Sequence, residues 1–105
     1  MQHIPDLNKA RRENLRWMIL LALNSAQPIG ASESLVYSAV QPLVPDLTNL
    51  ELRKELDYLQ ERQLIDITGR GTQPFWFCKL GRHGIDVVEY TTECEAGIAR
   101  PAKYW

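Results

Sequence analysis

Hydrophobic positions along this chain recur first at helical spacing. Leu15, Met18, Ile19, Ala22 and Leu23 share one face of a helix that is capped by Asp6 or Asn8 and runs to about Leu23. Asn24 to Pro28 ends it, and Pro28-Ile29-Gly30-Ala31 reads as a short strand. Ser32 is the cap of a second helix with Leu35, Val36, Ala39 and Val40 on its apolar face, and Pro42 stops it. The third helix carries the clearest punctuation. Thr48 followed by Glu51 is a capping box, and Leu47 can close over Leu52 as a hydrophobic staple. Leu52, Leu56 and Leu59 then fall on one buried stripe, and the helix fades at Arg62–Gln63.

Beyond the third helix the pattern changes to strand. Leu64 to Thr68 and the aromatic run Phe75 to Leu80 flank Gly69-Arg70-Gly71-Thr72-Gln73-Pro74, a loop dense in turn formers. These three pieces predict a hairpin. A short helix follows, with Gly81 at its cap and Gly84 where another element approaches closely. His83 reads as a surface residue. Residues 91–105 form an irregular tail broken by Gly97 and Pro101, with Ile98, Tyr104 and Trp105 able to pin it to the domain or to a second subunit. The expected organisation is an N-terminal arm over 1–7, one domain over 8–90 and the tail over 91–105.

The order helix, short strand, helix, helix, hairpin, helix over residues 8–90 resembles the winged helix-turn-helix superfamily, near the small ArsR- and MarR-type regulators. The resemblance rests on element order and patterning. It implies an α+β, mainly helical fold: a three-helix core with a β-hairpin wing and a short C-terminal helix. The connection Gln41–Leu47 departs from the pattern, being longer than the turn of a minimal helix-turn-helix. The ending GIDVVEYTTECEAGIARPAKYW also resembles small proteins of Mu-like phages and prophages, which implies a regulatory or accessory role.

Composition narrows the function classes. A chain of 105 residues holds one core, and its net charge of −1 provides no global attraction to nucleic acid or to an anionic membrane. Cys78 and Cys94 lack CxxC spacing and clustered histidines, so the expectation is two reduced thiols in a cytoplasmic protein and no metal. The run Trp17–Leu23 behind Arg11, Arg12 and Arg16 is too short to span a bilayer and has no cleavage signal after it, so it reads as a buried helix and no membrane partner is expected. No catalytic arrangement is present and Gly69-x-Gly71 is only a turn; the chain reads as a non-enzyme without cofactor.

The superfamily resemblance implies double-stranded DNA as partner, with the third helix in the major groove and the wing on the backbone. Arg53 or Lys54 would pair with guanine and Asn49 or Gln60 with adenine, while Asp57 lies on the outward face with Lys54. Arg70, Thr72 and Gln73 at the wing tip, with Arg11 and Arg12 on the first helix, would meet phosphates. The charge is unevenly placed. Residues 48–62 hold three cations against four carboxylates, whereas residues 8–16 carry +3 and residues 64–83 carry +2. So few phosphate contacts per subunit imply a homodimer on a palindromic site. The alternative is a module that docks another protein through Leu50, Tyr58 or the C-terminal tail.

Overall fold

The structure, a computed structural model, describes residues 6–105. Residues 1–5 of the expected arm lie outside that span, and Leu7 belongs to the first helix instead. The Asp6 side chain accepts the Lys9 N–H at 3.1 Å and so starts α1 (Leu7–Ser25). Ser32 caps α2 (Glu33–Val40) by accepting the Leu35 N–H at 3.2 Å. Thr48 caps α3 (Asn49–Glu61) through the Glu51 N–H at 3.1 Å, with Leu47 and Leu52 both buried across the cap. A short α4 (Arg82–Val88) starts at Gly81 with no side-chain cap.

Three short strands complete the domain: β1 (Ala31–Ser32), β2 (Ile65–Thr68) and β3 (Phe77–Leu80). They form one antiparallel sheet in the order β1-β3-β2, with Ile65 opposite Leu80 and Ala31 opposite Cys78. Ile65, Ile67, Cys78 and Leu80 point into the core, while Asp66, Thr68 and Lys79 point out, as period-two alternation requires. Among the described residues the architecture is α+β, about half helical, with four α-helices and a three-stranded antiparallel sheet. None of the described helices is long and apolar enough to cross a membrane.

One core joins these elements. Leu15, Ile19, Leu20 and Leu23 of α1 pack with Val36, Val40, Leu52, Leu56, Leu59, Leu64, Ile65 and Val87, all fully buried. Helix α1 runs through the middle, touching α2, α3, α4 and β3. That surround widens its buried arc beyond the expected stripe. Trp17 and Leu20 join the core, and Met18 and Ala22 are only half-buried. Gly84 lets α4 close on the start of β2: a Cβ there would lie 2.1 Å from the Leu64 carbonyl oxygen.

Helix α2 is turned relative to expectation. Leu35 and Ala39 are exposed, and Glu33, Val36 and Val40 face inward with Tyr37 half-buried beside them. The inward set keeps the i, i+3, i+4, i+7 helical spacing, but it begins with a carboxylate, so an apolar pattern finds Val36 and Val40 and wrongly adds Leu35 and Ala39. The strand expected over residues 28–31 pairs only at Ala31–Ser32. Strand β3 starts at Phe77, two residues later than expected, and the Trp76 carbonyl before it accepts the Glu33 N–H at 2.8 Å in the same β1–β3 register. In the long α2–α3 connection, Gln41–Leu43 forms a 3₁₀ turn and the Tyr37 hydroxyl donates to the Leu47 carbonyl at 2.7 Å.

Past α4 the chain has no regular secondary structure, yet it packs on the domain. Ile98 is buried, and the Ala99 N–H donates to the Glu13 carbonyl at 3.1 Å. Arg100 donates to the Val87 carbonyl at 2.9 Å, and the Tyr90 hydroxyl to that of Pro101 at 2.7 Å. Tyr104 and Trp105 stay exposed, with Trp105 edge-on to Tyr90.

Candidate interaction face

Helix α3 presents its outward side between α2 and the β2–β3 hairpin. The capping box and the leucine stripe set its rotation, so Asn49, Leu50, Lys54 and Glu61 are exposed and Asp57 partly so, as their spacing predicts. The expected reading residues do gather on this side. Arg53 and Asp57 are already paired there, whereas Lys54 makes no ion pair among the described residues.

Arg53 lies against Glu33 with Nε donating to Oε2 at 2.7 Å and Nη2 to Oε1 at 2.5 Å. The same Oε1 accepts the Trp76 N–H at 2.9 Å. Glu33 is buried, and Arg53 holds its carboxyl below the usual carboxylate value against the opposing effect of burial. The Arg53 guanidinium also lies over the Trp76 ring, 4.6 Å from its centre. One carboxylate thus fastens α3, α2 and the base of the hairpin together.

The hairpin cation is likewise engaged. Arg70 pairs with Asp57, donates to the Gln60 side chain and stacks over the Trp76 ring at 4.1 Å. Thr72 and Gln73 lie in the exposed turn, closed by their N–H groups on the Gly69 carbonyl at 3.4 and 3.2 Å.

Two more arginines tie α1 to α3. Arg11 grips Glu51 with two hydrogen bonds, 2.8 and 2.9 Å, and reaches Asp46 at 2.9 Å. Arg11 accordingly holds the Glu51 carboxyl low and takes both of its oxygens, so only the Thr48 arm of the expected capping box forms. Arg16 pairs with buried Glu55 at 2.7 Å and donates to the Gly97 carbonyl at 2.8 Å. Tyr58 carries two guanidiniums on its ring, Arg16 at 3.5 Å and Arg62 at 4.1 Å. Of the candidate cations, Arg12 and Lys54 make no ion pair among the described residues and are exposed.

What remains open is a groove of about 520 Å³ between α2, α3 and the hairpin. Ser34, Tyr37 and Ser38 line one side, Asn49 and Leu50 the other, Glu33 and Arg53 sit between, and Phe75 closes it. Leu50 and Phe75 are both more than half exposed, which gives the groove apolar lips. Sequence reading missed Glu33 and Phe75 here. A glutamate in the first turn of a capped helix looks like an ordinary dipole partner, and nothing local announces an arginine 20 residues on.

The remaining reactive groups lie elsewhere. Burial pushes the Cys78 thiol up to about 12, which keeps it protonated, and both cysteines are unpaired. His83 has a neighbour that its sequence context does not announce, with Nε2 3.2 Å from the Glu95 carboxylate. Among the described residues no three His, Cys, Asp or Glu side chains gather as metal ligands. No protein family, curated protein or solved structure matches this chain, so the reading of the face rests on its own geometry.

Proposed function

We propose that the chain is a winged-helix protein whose α2–α3–hairpin face docks a partner protein, in an accessory or assembly role of the phage type. The element order and the β1-β3-β2 sheet are compatible with a winged helix, β2 and β3 being the wing. One observation carries the docking reading: Arg53, Arg70 and Arg11 are each closed on a carboxylate of this same chain. A phosphate would have to displace Glu33, Asp57 or Glu51, and little counterion release is left to drive it. Apolar lips beside a polar, charge-balanced floor suit a protein surface better.

Duplex DNA is the second reading. Asn49 and Lys54 favour it, standing exposed on the outward side of α3 with Arg12 across the adjoining depression. The test is a binding isotherm of the full chain on mixed genomic duplex fragments at two salt concentrations. Docking predicts no salt-dependent affinity, together with a partner interaction that Leu50→Asp abolishes. Salt-dependent duplex binding that weakens in the Arg11→Ala, Arg12→Ala, Arg70→Ala triple variant would replace docking with DNA binding.

A further inference from the structure

We infer that the side where the C-terminal half of α1 meets α2, built from residues that expose no charge of their own, is the contact surface between two copies of this chain. Residues 17–45 hold a single charged side chain, Glu33, although the chain has 12 basic and 13 acidic residues. Glu33 is buried and points to Arg53, so this whole stretch presents no charge to its surroundings. Within it Ala22, Ser25, Ala26, Ala31, Val36 and Ala39 line a mainly apolar depression of about 210 Å³, and Leu35 stands at its edge, 60% exposed. The same stretch exposes Leu21, Ile29 and Leu43. Single exposed leucines are ordinary, but depletion of charge around several of them is the compositional mark of an interface core.

Charge decides what can cover this side. Every other charged residue of the chain lies outside residues 17–45. Laying another part of this surface over the depression would strand charges away from water without partners. Outside residues 17–45 the longest run without a charge is residues 71–78 at the hairpin, too short to cover this side, and the uncharged counterpart of matching extent is the same side of a second copy. Such pairing is isologous: each Leu35 enters the alanine-lined depression of the other copy, where small side chains leave room. A stable dimer takes about 800 Å² from each partner. That is roughly an eighth of the 6886 Å² surface, so Leu21, Ile29 and Leu43 must join the contact. Ser34 and Ser38 line the groove against α3, while Leu35 and Ala39 face the α1 side. The dimer therefore leaves the α3 face open on both copies, and the inference is independent of what that face binds.

Sedimentation velocity of the full chain, at concentrations up to about 0.5 mM, reads the association directly. We expect a dimer whose dissociation constant rises at least about a hundredfold in Leu35→Asp, because the contact would bury a carboxylate with no cation to meet it. Ala39→Arg, at another exposed position, should act alike, and Ile29→Asp should weaken the dimer less. Thr68→Asp, on the outward side of the sheet, should leave it unchanged. Circular dichroism melts establish that each variant is folded. A chain monomeric throughout the range overturns the inference, as does a dimer that survives both Leu35→Asp and Ala39→Arg.

Discussion

Arg53 meets the Glu33 carboxylate edge to edge, 2.7 Å from Nε to Oε2 and 2.5 Å from Nη2 to Oε1. The carboxylate is buried while the guanidinium keeps one side toward the groove. Removing the arginine leaves a buried anion with only the Trp76 N–H to satisfy it. Arg53→Ala should therefore lower stability in denaturant melts, because the Glu33 carboxylate stays buried without its cation. Lys54→Ala, one residue on and exposed, should stay within about 0.5 kcal/mol. Equal, small losses at both positions would show that the Glu33 pair contributes little to folding.

Acid should find the same pair. Glu33 and Glu51 are both held below the ordinary carboxyl value of 4.5, chiefly by Arg53 and Arg11. The unfolded chain then binds more protons than the folded one over that window, so unfolding free energy rises with pH there. Stability is fully present above the unfolded value and is lost as pH falls through the lower folded values. Equilibrium melts between pH 6 and 2 should decline below about 4.5, and Glu33→Gln should flatten that decline. An unchanged slope in Glu33→Gln would exclude Glu33 as a contributor.

The rotation of α3 can be read from leucines. Leu52 and Leu56 are fully buried whereas Leu50 is 66% exposed. Leu52→Ala and Leu56→Ala should each cost about 2–5 kcal/mol, and Leu50→Ala under about 1 kcal/mol. Comparable losses at Leu50 and Leu56 would remove Leu50 from the groove.

Gly97 fastens the tail. Its φ of +106° is one that side chains rarely adopt, and a Cβ there would lie 2.3 Å from the Tyr58 hydroxyl. Gly97→Ala should loosen the hold of Arg16 on the Gly97 carbonyl and the bond from the Ala99 N–H to Glu13. Hydrogen exchange should quicken at Ala99 by at least about tenfold while the Leu56 amide stays protected. Unchanged protection at Ala99 would mean that Ile98 holds the tail without Gly97.

Short-range interactions made much of this architecture legible in advance. A cap residue serves an N–H three positions on, and a leucine stripe repeats every three or four, so α3, its rotation and the hairpin could be read from local residues. Apolar spacing places Leu35 and Ala39 in the core, since it cannot reveal that Glu33 takes the inward position with an arginine waiting there. The charges behave the same way. Arg11 and Glu51 are 40 positions apart, and Arg16 and Glu55 are 39 apart. The sequence by itself determined that basic residues cluster on α1 and near the hairpin; only the packing of α1, α2 and the hairpin around α3 decided that Arg11, Arg16 and Arg70 are closed on carboxylates of the same molecule. A charge has no partner until the chain has folded, because attraction between side chains is set by distance through space and not along the backbone.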